Sequence, residues 1–206
     1  MPPAPSSRGA ANHSGSKSKK LRVLGVDPAV AGATGYGVIE CDGSQQTLLR
    51  FGALKFPARA TFASRLREVH RAIAQLVEEF APDAVAVESV FTALNVGTAL
   101  KLAEIRGVVL LAAAQASIPA HSYSPREVKA SVVGYGGASK HQIQQMVTSL
   151  LKLSSFPEPA DAADALAVAL CHAQLSQARA RLAEATRIAP GTIPQRGRSR
   201  AVRAPN

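Results

Sequence analysis

Apolar positions change period along the chain, and the changes mark its elements. LRVLGVD (21–27) is nearly continuous in apolar residues, as expected of a buried strand, and TGYGVIEC (34–41) reads as a second one after a turn with glycine. The pair Asp42-Gly43 then marks a hairpin into QTLLRFGALKF, so the first three strands are expected to be antiparallel. From Thr61 the period lengthens. Phe62, Leu66, Val69, Ile73, Val77 and Phe80 step by three or four, the signature of an amphipathic helix that ends at Ala-Pro-Asp.

AVAVES (84–89) is a short strand, Asn95 to Ser117 a long helix rich in Ala, Leu and Val, and IPAHSY a further strand. Two helix starts are legible in their caps: Ser124-Pro125-Arg126-Glu127 and Ser139-Lys140-His141-Gln142, with GYGG as a flexible turn between them. The last periodic run is DAADALAVAL (161–170). Three strands, helix, strand, helix, strand and then helices predict an α/β fold, a mixed five-stranded sheet flanked by helices.

Composition adds one feature. The 206 residues are 47% hydrophobic, enough for one sizeable core, and carry a formal net charge of +10 that is unevenly spread. Residues 1–20 hold four Lys/Arg and no acid, residues 181–206 six Arg and one Glu, and the 160 residues between them are net +1. The ends are also rich in Pro, Ser, Gly and Ala. The expected organisation is a single domain over 21–180 between disordered basic arms, 1–20 and 181–206, suited to a polyanionic partner. Cys41 and Cys171 lie far apart without metal-ligand spacing and read as reduced thiols. No apolar run is long enough for a membrane span, and the basic N-terminal stretch lacks the apolar core of a signal peptide, so a cytoplasmic location is expected.

The candidate chemistry lies in four acids at element ends. Asp161 and Asp164, three residues apart, share one face of a helix. A helix-capping role explains such a pair taken alone. Asp27 ends the first strand, however, and Glu88 ends the fourth. If those strands are parallel neighbours, both acids emerge at the carboxyl edge, where open α/β sheets place their sites. Four carboxylates in one cleft repel one another unless cations neutralise them, and hard oxygen ligands favour Mg²⁺ or Mn²⁺.

VLGVDPAVAGATGYGVIE, VAVESVF, NVGTALKLAEIRGVV, VKASVVGYGGASKHQIQQMV and DAADALAVAL, in this order and spacing, resemble the RuvC-type Holliday-junction resolvases, nucleases of ribonuclease-H-like fold. The resemblance spans about residues 21 to 178. It implies a metal-dependent endonuclease that resolves four-way DNA junctions by paired nicks, leaving 5′-phosphate and 3′-hydroxyl ends. By the same resemblance Asp27, Glu88, Asp161 and Asp164 are catalytic acids holding two Mg²⁺, for which Mn²⁺ can substitute. Phe91, Lys129 and Lys140 fall on DNA-contacting positions, and a branch-migration helicase complex of RuvA and RuvB is the implied partner. Ala29, Ser89 and Leu94 depart from the residues usual in the family, the last removing one phosphate contact.

The helix from Asn95 to Ser117 looks apolar on more than one face, with Ala99, Leu102, Ala103, Arg106, Val109, Leu110 and Ala113 at helical spacing, and is expected to build a homodimer. Three other classes remain open on the residues alone. An actin-like ATPase would need a second nucleotide-binding lobe, for which the chain is short. A non-catalytic nucleic-acid adaptor leaves the four acids unexplained. A ribonuclease acting on hybrids is not separated from a junction nuclease by the acids themselves.

Overall fold

The computed structural model describes residues 20–57, 59–89 and 95–188. Phe91 and Leu94, and the arms over 1–19 and 189–206, lie outside the described residues. Five strands form one sheet: β1 (Leu21–Asp27), β2 (Thr34–Asp42), β3 (Gln45–Leu54), β4 (Ala84–Glu88) and β5 (Ala120–Tyr123), in the order β3-β2-β1-β4-β5. The hairpins β1–β2 and β2–β3 are antiparallel, while β4 lies parallel to both β1 and β5.

Five helices cover the two faces. On one side, α1 (Phe62–Phe80) and α2 (Val96–Gln115) bury Val69, Ile73 and Val109 against Leu24, Val26, Val85 and Val87. On the other, α3 (Pro125–Val133), α4 (Lys140–Leu150) and α5 (Ala160–Ile188) pack on Val23, Ile39 and Ala86. Alternation along each strand therefore supplies both cores from one short sequence, and explains why β1 and β4 read as continuous apolar runs. Local chemistry sets the helix starts. Thr61 caps α1, Asn95 caps α2, and both Ser124 and Ser139 form the reciprocal capping boxes their sequences predict.

One boundary and one helix face differ from the expected ones. Helix α5 runs through Arg181 to Ile188, eight residues into the stretch expected to be a disordered arm. RLAEATR is rich in strong helix formers, so the helix propagates outward from its packed half although Arg181 to Arg187 are exposed. In α2, Val109 and Ala113 point into the core of their own domain rather than outward. The outward face is a different stripe, in which Val96, Leu100 and Leu111 are the exposed large residues.

Helix α5 lies very close to the sheet. Gly25 and Gly37 are register partners on β1 and β2, and Gly35 pairs with Asp27. A Cβ on Gly25 would lie 2.2 Å from Ala165 O, one on Gly37 2.5 Å from Leu166 Cδ2, and one on Gly35 1.9 Å from Asp161 O. The helix answers with small side chains: Ala162, Ala163, Ala165 and Ala169 have no exposed surface. A glycine floor under an alanine helix brings the first turn of α5 down onto the edge of the sheet. Gly35→Ala should therefore push that turn outward. Overpacking of this kind costs about 1–3 kcal/mol, to be read in thermal unfolding.

Candidate active site

The strand register assembles the first pair of acids. Val26 lies beside Val87 in the parallel β1–β4 ladder, so the next residues along, Asp27 and Glu88, are neighbours at the carboxyl edge. Parity puts them on the α5 side, since Val23 and Ala86, four and two residues earlier, belong to the core under α3, α4 and α5. The Gly35 notch then seats the backbone of Asp161 over the strand position paired with Asp27. One turn further, Asp164 faces a cavity of about 230 Å³ whose lining includes Asp27, Glu88, Lys129 and Lys140. Asp161 stands at the side of this cavity, lining an adjoining cleft with Val30, Lys55, Phe56 and Arg65.

Electrostatics tie the four acids into one unit. Burial pushes the Asp27 carboxyl up to about 8, and the charges of Glu88, Asp164 and Asp161 add to the rise. Glu88 is also raised, by burial first and by Asp164, while its hydrogen bond with Asp27 and the nearby Lys129 and Lys140 oppose the shift. Lys140 Nζ donates to Asp164 Oδ2 at 2.7 Å. That bond, above all, holds the Lys140 ammonium higher than its ordinary value, against some desolvation. Lys140 occupies the first turn of α4, where free backbone N–H groups favour an anion, and Lys129 projects from α3 to the same cavity.

Of the four acids singled out in the sequence, the fold brings Asp27, Glu88 and Asp164 onto one cavity with both lysines. Asp161 joins through its charge from the neighbouring cleft. Sequence reasoning missed the glycine floor, whose signal was Gly25, Gly35 and Gly37 at alternating positions in two strands. It also missed Lys55 and Arg65 beside Asp161.

The donor set suits a hard divalent cation. All four donors are carboxylates, and burial first, then the charges of the other three acids, raise Asp27 to about 8, as expected where negative charge is crowded out of water. Among the described residues, no three His, Cys, Asp or Glu side chains stand close enough to form a ready-made metal cage. Two contacts take up the carboxylates as they stand. Asp27 and Glu88 are hydrogen-bonded, and Lys140 takes up Asp164.

Residues 23–172 match the family described as crossover junction endodeoxyribonuclease RuvC. The chain belongs to the RuvC family. The crossover junction endodeoxyribonuclease RuvC of Natranaerobius thermophilus is 44% identical over 160 residues, covering 78% of this chain and 99% of that one. The Chloroflexus aggregans RuvC is 48% identical over 153 residues, 74% of this chain and 93% of its own length. Among solved structures, Thermus thermophilus RuvC in complex with a Holliday junction substrate is 34% identical, with a TM-score of 0.72 over 77% of this chain and 96% of that one. RuvC nucleases are divalent-metal-dependent endonucleases of ribonuclease-H-like fold, and this chain is a nuclease of that family.

The Asp27 shift has a measurable sign. Its folded value of about 8 lies above the ordinary 3.8, so the folded state holds the proton more tightly than the unfolded chain. The stabilisation is complete below about 3.8 and is lost as the pH rises through 8. In chelator, wild-type melting temperature should fall between pH 5 and pH 8.5 more steeply than that of Asp27→Asn. Parallel curves would show that Asp27 titrates as an ordinary carboxylate.

Proposed function

We propose that Asp27, Glu88, Asp161 and Asp164 are the catalytic, metal-holding acids with which this RuvC nuclease resolves four-way DNA junctions in recombination and repair. The observation that carries the reading is the assembly itself. A parallel register sets two strand-end acids side by side, and a glycine floor seats a helix with two more acids over them. The solved complex of the Thermus relative with a Holliday junction supports the substrate.

We assign two Mg²⁺ to the four carboxylates, with Mn²⁺ as a substitute. Such ions supply a water acidic enough to attack at neutral pH and positive charge at the leaving 3′ oxygen, giving 5′-phosphate and 3′-hydroxyl ends. The protein's own groups do the rest. Asp27, Glu88 and Asp164 present oxygen donors from rigid element ends, and Asp161 adds its charge from the side. Lys129 and Lys140 draw the phosphate into the cavity, Lys140 from a helix start that already favours an anion. Phe91, four residues ahead of the Asn95 cap, is assigned to the bases at the junction centre by its place in the family motif.

The proposal includes a homodimer, supported by the apolar outward stripe of α2, so that two centres meet the two opposed strands of one junction. The seven Lys/Arg of residues 1–19 and 189–206 would add salt-sensitive attraction as basic arms flanking the nuclease domain. A RuvA–RuvB branch-migration complex is carried over as a partner on family membership alone. A cytoplasmic location is supported by the free, buried Cys41 and Cys171. Among the described residues no helix is long and apolar enough to cross a membrane.

A four-way junction, a linear duplex of the same sequence and an RNA–DNA hybrid, each with and without Mg²⁺, test the reading. Paired cutting of the junction alone, only with metal, is expected. Preferential cutting of the hybrid would make the protein a ribonuclease instead.

A further inference from the structure

The segment from Lys55 to Arg71 holds five basic residues and one acid, net +4, whereas residues 21–180 as a whole are net +1. The rest of that span is therefore net −3, and the positive charge of the domain is concentrated in one short stretch. The fold gathers it further. The end of β3, the connection after it and the first half of α1 enclose a cleft of about 810 Å³ lined by Lys55, Arg59, Arg65, Arg67 and Arg71, with Glu68 among them. The cleft of about 660 Å³ that contains Asp161 shares Lys55, Phe56 and Arg65 with it. A continuous basic trough thus begins at the acid centre and runs away from it along α1.

Arg65 is the fixed wall of this trough. Its Nη1 donates to Val30 O at 3.2 Å and its guanidinium lies 5.7 Å over the Phe56 ring, which ties the loop after β1 to α1. Arg67 and Arg71 share the single acid, at 3.6 and 2.5 Å from Glu68, and both remain largely exposed. Ser64, Arg67, Arg71 and Gln75 recur at helical spacing on one face of α1. At 1.5 Å per residue that face is about 16 Å long, roughly half a turn of B-form DNA. Several like charges held along such a line repel one another in the free protein, and a polyanion laid beside them relieves that repulsion.

We propose that this trough binds the sugar–phosphate backbone of one duplex arm of the junction as the arm leaves the nuclease centre. The inference rests on the nuclease reading above, and it gives the substrate a direction across the surface. Contacts of this type fix where a duplex lies and carry no base sequence, so they orient an arm without restricting where the enzyme cuts. Arg59, Arg67 and Arg71 are the phosphate-binding groups, while Arg65 holds the loop that follows Asp27.

The test is the salt dependence of junction binding by the full chain in chelator, wild type against Arg59→Ala/Arg67→Ala/Arg71→Ala. Each phosphate contact contributes a slope of roughly −0.9 in log affinity against log salt. The triple variant should therefore be shallower by about two to three units, equally for a linear duplex. The charge-conserving Arg67→Lys/Arg71→Lys variant should keep the wild-type slope, and single alanine variants, should the triple fail to fold, should each lose about 0.9. Slopes equal to wild type in folded variants would overturn the proposal and leave the trough as a solvated face or a seat for an acidic protein. Failure of the nuclease reading is seen separately, as wild-type protein that does not cut a junction in Mg²⁺.

Discussion

Asp164→Asn should bind a four-way junction at least as tightly as the wild type and leave it uncut. The amide keeps the shape of the side chain and removes a negative charge from the cavity that receives the phosphate, so binding is held or improved. Chemistry suffers because a neutral oxygen is a poor donor to a hard cation, and transition-state charge stabilisation worth several kcal/mol goes with it. The cleavage rate constant should fall on the order of 10³-fold or more. The same loss is expected for Asp27→Asn, Glu88→Gln and Asp161→Asn, measured as single-turnover cutting of a labelled junction at saturating Mg²⁺. Asp164→Asn has a further consequence. It removes the partner that holds Lys140 Nζ at 2.7 Å and frees that ammonium for the phosphate, so its binding should tighten most. Asp161→Asn is the most informative, because its side chain lies in the adjoining cleft and acts on Asp27 through charge. Cutting by that variant at the wild-type rate would remove Asp161 from the centre and leave a site of three acids.

Much of this centre was legible in the letters because its acids sit where period changes. Asp27 closes an apolar run before Pro28, Glu88 closes another, and the Asp161–Asp164 pair opens an alanine helix, so each could be placed on an element end from the letters alone. The cap sequences at Ser124 and Ser139 fixed two helix starts for the same local reason. What could not be read was any relation between elements. The parallel pairing of β1 with β4 was a condition of the argument, and the register that sets Asp27 beside Glu88 is a property of the sheet. The Lys140–Asp164 bond joins residues of two helices, and the basic trough gathers α1 with the end of β3. The outward face of α2 was misjudged because nearly every position on it is apolar or small. Spacing alone does not say which stripe meets the sheet.

That face carries the second large effect. Val96, Leu100, Ala103, Gly107, Leu111 and Ala114 step by three or four along α2 and are partly or fully exposed. Leu100 keeps 60% and Leu111 51% of its surface accessible. Gly107 is the telling residue. Glycine inside a helix costs about 1 kcal/mol relative to alanine, and a Cβ at this position would meet nothing within 4 Å, so the domain itself has no need of it. A second helix approaching closely at that point, as in the proposed dimer, would supply the need. In a two-fold dimer every contact occurs twice, and each leucine buried is worth about 1.5–3 kcal/mol. Leu100→Glu should therefore weaken association by at least about 3 kcal/mol, a hundredfold or more in the dissociation constant. Gly107→Leu separates association from folding, since it fills open space in one domain and blocks only the close approach of two. Both variants should sediment as monomers at micromolar concentration with melting temperatures near or above wild type in the Gly107 case. On a supercoiled plasmid bearing an extruded cruciform, wild-type protein should yield linear product by paired nicks and the monomeric variants nicked circles. Linear product from a protein shown to be monomeric would end the dimer argument and place the pairing of cuts in successive binding events.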